Sequence, residues 1–372
     1  MCAAPSLQPH GAPDWGQTLV LPGQTPAGEE ILAVLLKRTY DIVPGGPCRR
    51  AGSDSPLIPG DRYWGNPLNT CVRYESDFVP FKVATDLVFD AKVHAPGGVP
   101  TPSCTAAVKV AGVRKDLRIF GDRSVRYVKD GLPQFTDPKP FETMELRWEL
   151  AYGGIDVYSD RSTSWPYPPN PRGRGFLVAN TKDGIENLAL PNIEDPKDLL
   201  APSRLCIGDY AAWGRQPAPA GLSWYPKTAL PRAGLAGILP ADRATERELR
   251  QAYGQLVPAE HRSAYLTHGL PDMDFRYFSG ASPGLALPYL TGDEEIGTAN
   301  LSPEGILYFR LPGESPRVGL DIGEGPKTPE TVLHTVLLRM EDRQLDLVWR
   351  GAVPYPGRDW LPNMRKMAVS VQ

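Results

Sequence analysis

The chain has 372 residues, a net charge of −3, 41% hydrophobic and 22% charged residues, 41 Pro and 37 Gly. These proportions suit one large or two packed folded domains and argue against global disorder, collagen and a general electrostatic grip on nucleic acid. No stretch reaches the roughly 18 apolar residues of a membrane span, and the unperiodic Pro and Gly point to a β-rich protein with many turns and long ordered loops.

Residues 1–17 read as a flexible leader without the charged start and apolar middle of a signal peptide, so a cytoplasmic protein is expected. The five cysteines, Cys2, Cys48, Cys71, Cys104 and Cys206, are odd in number and widely spaced. They predict free thiols in a reducing compartment, with no disulfide framework and no zinc site.

The first convincing strand is Ile31 to Tyr40, stopped by Pro44-Gly45-Gly46. Strands follow at Val83–Val93, Thr105–Val110, Asp116–Phe120, Arg123–Val128 and Glu145–Tyr152. From 155 to 240 the pattern breaks. Trp165-Pro166-Tyr167-Pro168-Pro169-Asn170-Pro171 can be neither helix nor central strand, so this is an irregular Pro-rich insertion pinned by aromatics. One helix is predicted at Asp242–Tyr253, capped by Gly254. Strands return at Gly305–Leu311, Arg317–Ile322, Thr331–Met340 and Gln344–Arg350. The last two form a predicted hairpin with one buried face, carrying Val332, His334, Val336, Leu338 and Met340 opposite Leu345, Leu347 and Trp349. Arg350 would point to solvent. The expected organisation is a β-rich domain over 18–311, with strands in 312–372 packing on it. The expected fold class is mainly β, antiparallel sheets in a sandwich or barrel-like arrangement with few helices.

Chemistry motifs fail on physical grounds. Gly280-Ala281-Ser282-Pro283-Gly284 spells a nucleophile elbow, but Pro283 has no N–H to offer an oxyanion. Gly323-Glu324-Gly325-Pro326-Lys327-Thr328 lacks the Gly before Lys and the helix of a phosphate loop. His10, His94, His261, His268 and His334 have no ligand spacing. No catalytic residue, metal site or cofactor is predicted.

Several segments occur in a characteristic order. They include Lys37-Arg38-Thr39-Tyr40-Asp41-Ile42, Asp61-Arg62-Tyr63-Trp64-Gly65, Phe81-Lys82-Val83-Ala84-Thr85-Asp86, His94-Ala95-Pro96-Gly97-Gly98 and Phe120-Gly121-Asp122-Arg123. Pro140-Phe141-Glu142-Thr143-Met144, Ala151-Tyr152-Gly153-Gly154, Asn170-Pro171-Arg172-Gly173-Arg174-Gly175, Pro191-Asn192-Ile193-Glu194-Asp195-Pro196 and Asn300-Leu301-Ser302-Pro303-Glu304-Gly305 follow. The series resembles the bacterial family catalogued as domain of unknown function 2169, over about residues 18–311. Phe81-Lys82-Val83 and Trp64 depart modestly from its pattern. The resemblance implies a non-enzymatic chaperone or adaptor of the type VI secretion system, whose partners are a toxic effector and a secretion spike protein, with no nucleic acid and no membrane. Trp165, Tyr167, Trp213 and Trp224 are the candidate partner-binding residues, on an aromatic loop surface between Tyr158 and Tyr225. Asp61, Tyr63, Lys82, Asp86, His94, Asp122, Arg123, Asn192, Glu194 and Asp195 are expected to brace loops or line a groove. The rival classes are a carbohydrate-active hydrolase built on clustered carboxylates and Trp, and a structural component of the spike.

Overall fold

Long apolar strands need partners on both sides, and here they find them in two sheets. The structure is a computed structural model, which describes residues 16–25, 29–79, 81–128, 131–160, 162–236, 274–321, 325–354 and 368–371. Residues 1–15, the helix expected at Asp242–Tyr253, His261, His268, Gly323 and Glu324 lie outside the described residues.

The protein is mainly β, and no sheet closes into a barrel. The larger, seven-stranded sheet runs in the order Gln17–Gln24, Glu30–Asp41, Gln344–Pro354, Thr331–Arg339, Thr85–Asp90 and Ala286–Leu287, with Arg49–Arg50 also on Glu30–Asp41. Its pairings are antiparallel except for the parallel contact of Thr331–Arg339 with Thr85–Asp90. The second sheet, of five strands, is antiparallel throughout, in the order Ile193–Glu194, Val113–Phe120, Ser103–Val110, Glu295–Ala299 and Ile306–Arg310. One continuous hydrophobic cluster joins them. Leu32, Val34, Leu36, Tyr40, Leu87 and Phe89 enter it from the first sheet, and Ala106, Val108, Leu117 and Ile119 from the second. The alternation of these positions along each strand is the period-2 pattern of a sheet face turned to a core.

Three expectations need correction. Glu145–Tyr152 is not one strand: a single turn of 3-10 helix at Trp148–Leu150 interrupts it. The Asn170 amide donates to the carbonyls of Trp148 and Tyr152, at 2.8 and 3.0 Å, so those groups are satisfied outside any ladder. The C-terminal hairpin exists, but both of its faces are buried, and its strands lie inside the larger sheet, Gln344–Pro354 between Glu30–Asp41 and Thr331–Arg339. A bulge between Leu333 and Thr335 also breaks its alternation. Leu333 and Val336 face the shared core, whereas His334 lies beside Arg350, which is itself buried. Strands at Gln17–Gln24 and Glu295–Ala299 were not expected at all. Cys48, Cys71, Cys104 and Cys206 are free thiols.

Candidate functional site

The Pro-rich segment folds into a layer with its own core. Tyr167 stacks among Tyr152, Phe176 and Trp213 at centroid distances of 5.1, 5.0 and 6.2 Å, and Trp165 lies 4.7 Å from Tyr210. Prolines ease this burial because they bring no N–H that would need a partner. Tyr167 donates to the Pro217 carbonyl at 3.0 Å, and the single proton of the Tyr225 hydroxyl lies between the carbonyls of Pro169 and Leu230, at 2.7 and 2.6 Å from its oxygen. Gly153, at φ +143°, is required, since a Cβ there would fall 2.1 Å from the Asn170 carbonyl oxygen. The expected outward-facing aromatic surface is therefore corrected. Tyr167, Trp224 and Trp213 are only 1%, 4% and 8% exposed, and Trp165 is half-buried.

The layer instead exposes Ile155, Val157 and Tyr158, each about half open to solvent. The cause is Asp156 between them, which is fully buried. One carboxylate oxygen accepts from the backbone N–H groups of Tyr158 and Ser159 at 2.8 and 3.1 Å, and the other from Val178 N–H at 2.8 Å and the Ser159 hydroxyl. A carboxylate that takes three backbone donors fixes its segment and leaves the flanking side chains to splay outward.

The ten motif residues separate in space. Asn192 ties one group together: its amide donates to the Phe120 carbonyl and to Asp122, at 3.0 and 3.1 Å, while its oxygen accepts from Arg174 at 3.0 Å. Arg123 lies 3.8 Å over the Phe120 ring and pairs with Glu194, which also accepts from Leu200 N–H. Burial pushes the Glu194 carboxyl up and the Arg123 guanidinium down from their ordinary values. Asp61 accepts from Lys227 at 2.7 Å and from Ser76 N–H at 3.0 Å, and Tyr63 sits exposed in the adjoining strand. His94 Nε2 meets Glu341 at 3.1 Å.

Lys82 and Asp86 belong to a second setting, with Asp86 on the opposite face of its strand from Leu87 and Phe89. Asp86 is fully buried and accepts from Lys82 and from the N–H groups of Gly280 and Ala281. Lys82 also donates to Thr335 at 3.1 Å and lies 4.9 Å from the Trp224 ring centroid. Nearby, Lys37 bridges Asp77 at 2.9 Å and Asp346 at 3.8 Å, and Arg232 pairs with Glu75. Arg350 donates to the Asp77 carbonyl and to His334 Nδ1, the latter at 3.1 Å. Burial pushes Arg350 down to about 10 and holds His334 well below its ordinary value, so the imidazole is neutral and accepts. Gly280 is needed for space: a Cβ there would come within 3 Å of Glu75, Trp224 and Arg232.

Ser282 is fully buried, and its hydroxyl donates to the Gly221 carbonyl. It accepts from Lys115 Nζ at 2.6 Å, and Lys115 also donates to the Pro283 carbonyl at 2.7 Å. The distance is that of a serine–lysine pair, yet the hydroxyl proton is committed, the oxygen is enclosed, and Pro283 offers no N–H. Lys115 lines two adjoining cavities of about 320 and 220 Å³, and of the expected residues Asp195 borders both and Tyr167 and Trp213 the larger. Sequence reasoning missed Lys115. Its signal was parity: Lys115 pairs with Val108 and shares the inward face of its strand with Leu117 and Ile119.

The fold defines a mainly β scaffold with two large sheets, a three-stranded sheet of Pro326–Lys327, Val318–Asp321 and Ala368–Val371, and an aromatic loop layer. The chain belongs to a bacterial family: residues 27–350 match the one described as an uncharacterized protein conserved in bacteria, domain of unknown function 2169. That match runs past the expected limit at 311 and takes in nearly all of the C-terminal hairpin. Neither a curated protein nor a solved structure matches the chain. Among the described residues no helix is long and apolar enough to cross a membrane, and no cluster of three metal-ligating side chains occurs.

Proposed function

We propose that the protein is a cytoplasmic, non-enzymatic chaperone or adaptor that holds a type VI secretion effector and helps bring it to the secretion spike. The observation that carries this reading is the rigid apolar turn Ile155–Tyr158. Three adjacent apolar side chains stand exposed on a segment that a buried carboxylate locks in place. Exposed apolar side chains gathered at one place mark interaction sites, and a surface ordered in advance loses less freedom on binding. The resemblance carried by the ordered motifs implies the same role.

The test is co-expression with the product of the neighbouring effector gene. The effector should be insoluble alone and recovered in a complex with this protein, through stabilisation of the bound form or suppression of aggregation. Recovery of equal amounts of soluble effector with and without the protein would overturn the proposal.

A further inference from the structure

Lys115 stands where its strand calls for an apolar side chain. Inward-facing charges in a sheet are costly unless something compensates them. The two hydrogen bonds to Ser282 and Pro283 use two of the three ammonium donors. Among the described residues no carboxylate lies within ion-pair distance of it; Asp195 acts on it only through space. Burial pushes the amine down to about 7, which an anion placed against it would offset.

The surrounding walls are of two kinds. The larger cavity is faced by Tyr167, Trp213, Tyr225, Leu230 and Pro231, and the smaller by Arg114, Asp116 and Lys197. Lys115 stands at their junction. An apolar lobe of about 320 Å³ opening onto a cation is the arrangement that orients an amphiphilic ligand: the apolar body supplies contact area and the charge sets direction. In the smaller lobe Arg114 is paired with Asp116 at 2.8 Å, which leaves Lys115 and Lys197 against Asp195, so its balance also favours a negative group.

We propose that this double cavity seats a peptide segment of the client, with an apolar or aromatic side chain in the larger lobe and a carboxylate against Lys115. The inference rests on the chaperone reading for the identity of the ligand. The carboxylate comes either from a chain terminus or from an Asp or Glu side chain, and the probes distinguish them.

The full chain is titrated calorimetrically with N-acetyl-Leu-Phe as free acid, the same dipeptide as amide, and N-acetyl-Phe-Glu amide. Binding of the free acid alone assigns a terminal carboxylate, and binding of the Glu peptide alone assigns a side-chain one. K115M should weaken the bound acid at least about tenfold, the scale expected when a charge loses its buried partner. A218W, at an exposed residue of the cavity lining, should block binding without changing Tm. The inference is overturned if the amide binds as well as the acids, if no probe binds at millimolar concentration, or if both variants bind like the parent. Effector recovery on co-expression is read separately. Recovery with no peptide binding removes this site alone, whereas loss of recovery removes the chaperone reading and leaves the titration to decide the cavity.

Discussion

The sheet core and the loop layer solve the same problem by different means. In the sheets, backbone groups pair along ladders, and alternating Leu, Val and Ile fill one shared interior. In the layer from 151 to 235 there are only two-residue strands and short helices, the longest Tyr210–Arg215, so ladders satisfy little of the backbone. Irregular backbone-to-backbone bonds, such as Tyr167 N–H to the Gly154 carbonyl and Phe176 N–H to that of Gly153, do part of this, and side chains add to them, with Asp156, Asn170, Asn192 and Glu194 taking up further backbone groups and rings packing on one another. A ladder tolerates substitution of side chains that merely fill space. A layer held by single buried polar groups depends on each of them, which permits an irregular surface that is nonetheless rigid.

The largest expected effect tests the sheets. Trp349 is buried edge-on to Tyr40 at 6.5 Å, and Trp349→Ala should cost about 3–5 kcal/mol in chemical denaturation. A loss below about 1 kcal/mol, the scale of ordinary substitutions, would mean the two sheets do not share this interior.

Next comes the layer. Asp156→Ala strands three backbone donors and should cost at least about 2 kcal/mol. Because the bonds are local, the loss should show as faster proteolysis between 155 and 178 before global melting. Protection equal to that of the parent would show that the layer does not depend on single polar braces.

Lys115 sharpens the comparison with pH. Its folded amine sits near 7 instead of 10.5, so across that window the unfolded chain holds a proton the folded one has released. Stability due to this group therefore rises from pH 7 to 10.5, and below 7, where both states are protonated, the penalty for burying the charge is complete. The Tm of Lys115→Met relative to the parent should be most favourable at pH 6 and should fall as pH rises towards 10.5. A difference independent of pH would break this account.

The smallest effect on stability belongs to the exposed turn. Ile155→Ser with Val157→Ser should change stability by about 0.5 kcal/mol or less, as for ordinary surface positions, while reducing effector capture on co-expression. Unchanged capture would remove this turn from the interface.

Much of the scaffold was legible in the chain. Ile31–Tyr40, Thr105–Val110 and Gln344–Arg350 carry enough β-branched and alternating apolar residues to be read directly, and the structure extends each by only a few residues. Glu145–Tyr152 misled because alternation says nothing of where Asn170 will stand. Arg350 misled for the same reason: a charged residue after Trp349 suggests a wet face, but Asp77 and His334 meet it there. The candidate partner residues Tyr167, Trp213 and Trp224 were expected at the surface and are buried, Tyr167 and Trp213 in the core of the loop layer and Trp224 in that of the sheets, while Trp165 is half-buried.

By itself, the sequence determined the class: strand-length apolar runs with a period of two, punctuated by Pro and Gly, can only become a β protein with long loops, and the ordered motifs identify its family. Which residues face outward was decided by tertiary structure alone. Inside a strand, neighbours two positions away share a face and local pattern suffices. In a loop layer, the orientation of Tyr167 or Ile155 depends on partners up to some 50 residues distant in the chain, such as the Pro217 carbonyl that accepts from Tyr167. Lys115 combines both cases. Its inward direction follows from parity, but the cavities it opens into exist only because the 214–231 and 283–284 segments fold against that strand.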